Sequence, residues 1–421
     1  MERTLAQEQS ETSRCPREAQ QQRRASSSLP HGCEPIVLRW DVDPWPRSIR
    51  IRVLFVNENI GGHATVHRTL ERELAVHHPD VKATFVHLPA PRLGRRLFGA
   101  SVPGFGALDL DLQPLRAQLA QSLLARRLIA RRRGTFDVLH LYTHNVGLLS
   151  CDLVAAQPTV VSLDTTNKLN AFRLAHRDPT RWTRRLLPLT LWFEGRVYRS
   201  ATLVATHSDW AAASVAGYGV ASDRIRVVRF GVELGERPPA DRPLADPPEI
   251  TFVGRQMQRK GGELLLNLFN AQLRDVCRLN LVTTDPVVGG PGIRVYDDIT
   301  PGDPRLGDIL RRSTAFVFPS PIDQAPNVVL EAMAAGVAVV GLSVAAVTEM
   351  VEDGVTGTLL APDDRRGIVT AIKELVGDPA RALAMGAAGR ERAERLFDGR
   401  VSTARLVDVL YEAAQRFSPP E

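Results

Sequence analysis

The stretch PIDQAPNVVLEAMAAGVAVV, residues 321–340, decides how the chain is read. It follows AFVFPS (315–320), a short apolar run of β type, and opens as a polar loop, PIDQAP. Asn327 to Ala335 then reads as a short helix stopped by Gly336 at the position after its C-terminus, and VAVV resumes a β-type run. A strand, loop, short helix and second strand in this order form one unit of a doubly wound α/β sheet. The loop and helix start lie at the carboxyl end of the first strand, where such sheets bind ligands. The amides of Val328 and Val329 are expected in the first helical turn, unpaired and facing the ligand, which makes an anion site. Asp323 and Glu331 stand eight positions apart on either side of Pro326-Asn327. Glu331, placed in the first turn, is suited to a diol such as a ribose, and Asp323 in the loop to ligand hydroxyls. An acid in a first turn also complements the helix dipole with no ligand at all; the surrounding pattern favours the ligand.

The same alternation runs through the chain in both directions. IRIRVLFVN (49–57) is a β-branched run of the kind buried on both faces in a parallel sheet. KATFVHL (82–88), FDVLHLY (136–142), TVVSLD (159–164), ATLVATH (201–207) and RIRVVRF (224–230) read as further strands, with helices at 65–77, 115–133 and 183–199. ELGERPPADRPLADPP (233–248) holds five prolines in sixteen residues and reads as a linker. A second series follows: EITFVG (249–254), a helix over 261–274, LNLVTT (279–284), IRVYDD (293–298), a helix over 304–312, the unit already described, GTLLAP (357–362), and helices over 364–376, 379–395 and 400–416. The expected architecture is α/β: a Rossmann-like domain over 49–232, a linker, a second Rossmann-like domain over 249–395 and a last helix in 396–421, with a cleft between the two sheet edges. Residues 1–48 are rich in Gln, Arg, Glu and Ser without hydrophobic period and read as a disordered tail.

Composition limits the function. The 421 residues suit two domains of roughly 170–200 residues each. Four scattered cysteines form no C-x-x-C pair, so neither a disulfide framework nor a zinc site is indicated, and a reducing cytoplasm is the simplest compartment. A net charge of +6 with only four lysines makes the basicity one of arginine, pointing to anionic partners or merely to arginine-rich coding. No run is long and apolar enough to span a bilayer. Nucleic acid is set aside, because aromatics make up 6% and no basic helix carries base-reading residues.

Three further stretches carry candidate chemistry. VGRQMQRKGG (253–262) places Arg255 and Lys260 after a strand, one a bidentate fork and the other a point charge for phosphate. NENIGGHAT (57–65) runs a buried strand into Gly61 and Gly62, followed by His63, where backbone can approach a ligand closely. HLYTHN (140–145) and SLDTTN (162–167) end two strands with His140, Tyr142, His144 and Asp164. These form no plausible metal set. Helix 114–133, with leucines on one face and arginines at its end, either covers its own sheet or lies on an anionic membrane. Arginines 173, 177, 181, 184 and 185 either meet a phosphorylated acceptor or are solvated.

DQAPNVVLEAMAAGVAVV resembles the acid-x7-Glu signature of the retaining family-four glycosyltransferases of GT-B fold, the group 1 glycosyl transferases. VGRQMQRKGG is similar to that family's V-G-R-x-x-x-x-K-G, FDVLHLYTHN to its D-V-[VL]-H-x-H strand end, and IGGHAT to its glycine-rich first loop. The four occur in the family's order. The resemblance implies a GT-B fold, with the last helix crossing back to the N-terminal domain, and metal-independent transfer of a hexose from a nucleotide sugar with no cofactor, a UDP-sugar being the first expectation. It implies that Arg255 and Lys260 hold the donor diphosphate with the Val328 and Val329 amides, that Glu331 binds the ribose, and that Asp323, with Gln324 and Asn327 beside it, meets the sugar. Ile299 falls near the base. Asp323, Lys260, Arg255 and His144 are the implied catalytic set, and Gly61, Gly62, His63, Tyr142 and Asp164 the acceptor side. The acceptor is a glycan, a lipid or a small molecule. Asp323 replaces the family's Glu, Gln324 its Gly, and Tyr142 its second His. A noncatalytic GT-B protein is the other reading those departures allow.

Overall fold

The computed structural model describes residues 50–58, 63–88, 112–172 and 181–418. The expected tail 1–48, residues 89–111, Gly61, Gly62, Arg173 and Arg177 lie outside these residues. The β-branched and apolar runs of the first series form β1 (Ile51–Asn57), β2 (Val81–His87), β3 (Val138–Tyr142), β4 (Thr159–Leu163), β5 (Leu203–Thr206) and β6 (Ile225–Val227). Between them lie α1 (His63–His77), α2 (Gln113–Ala130), α3 (Cys151–Ala155), α4 (Asn167–Asn170), α5 (Arg181–Ser200) and α6 (Asp209–Ala216). The second series gives β7 (Glu249–Val253), β8 (Arg278–Val282), β9 (Ile293–Tyr296), β10 (Ala315–Phe318), β11 (Ala338–Leu342) and β12 (Gly357–Leu360). Its helices are α7 (Gly262–Leu268), α8 (Pro304–Arg312), α9 (Asn327–Ala334), α10 (Val347–Met350), α11 (Arg365–Gly377), α12 (Pro379–Leu396) and α13 (Gly399–Arg416).

Among the described residues every strand pair in the two sheets is parallel, in the orders β2-β1-β3-β4-β5-β6 and β12-β11-β10-β7-β8-β9. In each sheet the chain winds outward from one strand and then resumes on that strand's other side. The winding therefore reverses between β1 and β3, and between β7 and β10. Loops leaving such a pair diverge, and the crevice they open is where ligands bind. His63 follows β1 at the start of α1, HLYTHN ends β3, VGRQMQRKGG leaves β7, and PIDQAP leaves β10, so topology brings the described parts of these stretches to the two crevices.

The apolar side of α2 turns inward: Leu115 and Ile129 are buried, with Leu119, Leu124 and Leu128 packed on the same core, so this helix covers its sheet. Helix α13 returns to the first sheet, where Leu406, Val407, Leu410 and Ala413 pack with Ile51, Val53, Phe55 and Val160. Two segments pass between the sheets side by side. Val232 exchanges backbone hydrogen bonds with Phe397 (2.8 Å) and Gly399 (3.0 Å). The expected helix 261–274 keeps α geometry only to Leu268 and continues as a π turn over Phe269–Leu273. The expected strand 224–230 is ordered as β6 for three residues, where buried Arg226 pairs with Glu412 of α13.

Part of the arginine excess is structural. Arg390, 4% exposed, donates to the carbonyls of Leu234 (2.6 Å), Glu236 (3.2 Å), Gly235 (3.0 Å) and Ala334 (2.6 Å), pinning the linker to the end of α9. Arg242 in the linker spans Gly336 and Ser313 carbonyls, and burial lowers its pKa to about 10. Arg390→Leu strips donors from buried carbonyls and is expected to cost about 3–5 kcal/mol, read as a lower urea midpoint with unchanged slope.

Candidate active site

The second crevice is a cavity of about 700 Å³. Val253, Val282, Ile299 and Leu306 supply apolar lining, with Thr283, Thr284 and Thr300 beside them. Arg255, Arg259 and Lys260 line it from the loop after β7, and Asp323 to Val328 with Glu331 from the loop after β10 and the start of α9. Gly261 lets the first loop sit this close: its φ is +76°, and a Cβ there would lie 2.1 Å from the Pro319 carbonyl oxygen. The Met257 amide donates to Asp285 at 2.6 Å, anchoring the loop's other side.

Lys260 lies 5.6 Å from the centre of the Phe318 ring and 3.5 Å from Asp323 Oδ2, an ion pair without a hydrogen bond. The stronger partner of Asp323 is Arg259, which donates to Oδ1 at 2.7 Å. Arg259 was missed in reading the sequence, although it stands beside Lys260. Nothing local marks a contact made across 64 residues of chain.

Two expectations at α9 need correction. The Val329 amide is not free: it donates to the Pro326 carbonyl at 3.0 Å, and the Val329 side chain is buried in the core. The first turn closes tightly on Pro326, satisfying that donor internally. The Val328 amide meets no acceptor among the described residues, and Val328 lines the cavity. Glu331 is the fifth residue of the helix, hence in its second turn rather than its first. Its carboxylate still reaches the cavity wall. Burial raises its pKa, and the Lys260 charge opposes that rise only in part.

A carboxyl whose folded pKa is raised weakens the fold as pH climbs through that value and has no such effect below its unfolded pKa. Glu331→Gln is therefore expected to melt higher than the parent at pH 8, with the gap closing near pH 4, in calorimetry without nucleotide.

The first crevice holds a second cavity of about 320 Å³. Leu112, Leu115, Leu186 and Leu187 form its apolar side, and Gln118, Asn145, Asn167 and Thr190 its polar side. His144 lines it with both ring nitrogens engaged, Nδ1 with the Tyr198 hydroxyl (3.0 Å) and Nε2 with Asn167 Nδ2 (3.1 Å) and Glu194 (3.2 Å). Glu194, fully buried, also accepts from the Tyr198 and Tyr218 hydroxyls and the Asn167 amide. Glu58 accepts from Thr143 (2.7 Å) and Asn145 (3.1 Å).

Tyr142 does not join either cavity lining. Its ring is buried against His63, His67 and His207, because odd and even positions at a strand end face opposite ways. His140 is likewise internal, bonded to Ser162 at 2.7 Å, and burial pushes it down to about 3.

His63 and Asp164 form a pair at 3.6 Å. Burial works to raise the Asp164 carboxyl, but the adjacent His63 holds it below the ordinary value. Burial opposes protonation of His63, and Asp164 with Glu58 overcomes it, so its pKa is raised. His63, Asp164 and Gln324 line both cavities, which meet at these three side chains. Gln324 Nε2 donates to Asn170 Oδ1 at 2.5 Å, tying the two halves at that junction. Glu349 makes a second tie, accepting from the Asp209 and Trp210 amides at 2.9 and 2.8 Å.

The family models for glycosyl transferases group 1 and for the glycosyl transferase 4-like domain match residues 247–378 and 61–231. A D-inositol 3-phosphate glycosyltransferase of Streptosporangium roseum is 30% identical over 337 residues, covering 72% of this chain and 75% of that protein. The chain belongs to the group 1 glycosyltransferases. Solved structures agree on the GT-B fold. A sucrose-phosphate synthase from Thermosynechococcus elongatus aligns with a TM-score of 0.65 at 19% identity, over 86% of this chain and 99% of that one. Anabaena HepE, solved with UDP-glucose, aligns at 0.60 and 15% identity, over 86% and 100%. This glycosyltransferase thus presents the described residues of its sequence motifs on the two crevices of a GT-B molecule.

Proposed function

We propose that the transferase moves a hexosyl group from a nucleoside diphosphate sugar, UDP-linked, to a hydroxyl of a glycan, lipid or small molecule, with retention at the anomeric carbon and without a metal. The observation that carries this reading is the meeting of the two cavities at His63, Asp164 and Gln324. The larger takes the donor. Its base rests on the apolar lining near Ile299, its ribose on Glu331, and its diphosphate against Arg255, Lys260 and the Val328 amide. Asp323 and Gln324 then meet the sugar, with Arg259 fixing the Asp323 carboxylate. The complex of HepE with UDP-glucose supports the choice of base.

The acceptor enters the smaller cavity, and its hydroxyl points at the junction beside Asp164, with His144, its ring nitrogens held by Tyr198, Asn167 and Glu194, forming part of the cavity wall. The bond from the anomeric carbon to the diphosphate oxygen breaks and a bond to the acceptor oxygen forms on the same face. The acceptor's proton passes to the departing phosphate oxygen. Charge growing on that phosphate is met by cations and an amide already in place, which is how such a site lowers a barrier. The reading is tested by thermal shift with UDP, GDP and ADP. Nucleotide at about 100 times its dissociation constant stabilises by about 2.7 kcal/mol. UDP is expected to raise the melting temperature by several degrees in the parent and not in Glu331→Ala. A rise with GDP or ADP alone overturns the base, and no rise with any overturns the donor site.

A further inference from the structure

Helix α5 carries two opposed faces. Thr183, Leu186, Leu187 and Thr190 line the smaller cavity. At about 100° per residue, Arg185, Leu189, Trp192, Arg196 and Arg199 fall on the far side, and all five are exposed. Leu189 is 43% and Trp192 51% exposed, and Phe172, nine positions before the start of the helix, is 47% exposed. The guanidinium of Arg196 sits 4.8 Å from the centre of the Trp192 ring, and that of Arg185 5.3 Å from the Trp182 ring. The helix has one acid, Glu194, and it is buried and engaged on the inner side. The outward face of the helix is thus a tryptophan and a leucine set among arginines, and the helix itself places no carboxylate there. A soluble surface gains nothing from exposing these rings, whereas a headgroup layer takes the indole at its boundary and the guanidinium groups at its phosphates.

We propose that the outward face of α5 docks on an anionic lipid surface, with Trp192 and Leu189 entering the headgroup layer and Arg185, Arg196 and Arg199 against lipid phosphates. The smaller cavity then lies one helix thickness from the membrane, within reach of an acceptor carried there. This surface is distinct from that of α2, where Leu115, Leu119, Leu124 and Leu128 pack on the core and Leu123 is exposed without an exposed aromatic ring beside it on that helix. The proposal does not depend on the donor assignment, and its test reads binding without turnover.

The full chain is sedimented with vesicles of phosphatidylcholine alone and with vesicles containing a third phosphatidylglycerol, at 0.15 M salt. Binding is expected to the anionic vesicles only. It is expected to fall at least tenfold in Trp192→Ala/Leu189→Ala and to be lost in Arg185→Glu/Arg196→Glu, each variant checked for an unchanged melting temperature. If a variant melts low, Trp192→Phe, which keeps an aromatic ring on the face, serves as the control expected to bind. Absence of parent binding overturns the proposal, as does binding that ignores both double substitutions. A parent dimer dispersed by Trp192→Glu, with no vesicle binding, identifies a second copy as the occupant and also overturns it.

Discussion

Lys260→Ala is expected to lower kcat by about two orders of magnitude, the usual cost of removing one preorganised charge from a developing oxyanion, with a much smaller change in KM. Lys260 lines the larger cavity and has no hydrogen bond to Asp323, so its ammonium group is available to an anion there. Its ground-state ion pair with Asp323 at 3.5 Å is backed by the closer Arg259, so the carboxylate stays in place when Lys260 is lost. That predicts a specific contrast. Arg259→Ala should free Asp323 and weaken sugar discrimination, seen as altered relative kcat/KM among donor sugars, whereas Lys260→Ala slows all donors alike. Steady-state kinetics with two UDP-sugars separates the two, and an undiminished rate in Lys260→Ala removes its assigned role.

Gly261→Ala is expected to destabilise the protein by roughly 3–5 kcal/mol, combining a left-handed backbone that disfavours a side chain with severe overpacking. Its added methyl would meet the Pro319 carbonyl at 2.1 Å, and backbone cannot yield as a flexible side chain does. Any relief moves the loop after β7 away from the end of β10, carrying Lys260 with it. Differential scanning calorimetry and UDP binding should therefore fail together. By contrast, Gly377→Ala, where the added methyl meets nothing within 4 Å, should leave both intact.

The fold was largely legible because strand periodicity and the proline-rich break at 233–248 are local signals, and parallel strands buried on both faces leave continuous apolar runs. Four short helices, α3, α4, α6 and α10, were not read, since four to eight residues carry too little of a period. At the site, the stretches 253–262 and 321–340 already named the residues that line the larger cavity. What they could not name depends on contacts between distant segments or on one turn of geometry. Arg259 finds Asp323 only after folding, and Val329 loses its free amide to Pro326. Tyr142 resembles a site residue by position but points into the histidine-lined interior. The opposite-facing arginine and tryptophan side of α5 is periodic in the sequence, yet its exposure is a property of packing.

The measurement that tests the central claim most directly is proton NMR of slow UDP-glucose hydrolysis by the transferase, with EDTA present and no other acceptor. Water then takes the acceptor's place beside Asp164, and the identity of the natural acceptor does not matter. The account predicts release of UDP with α-glucose as the first product, before mutarotation, and loss of that signal in Lys260→Ala. First appearance of β-glucose, or failure to turn over when UDP is shown to bind, would contradict it.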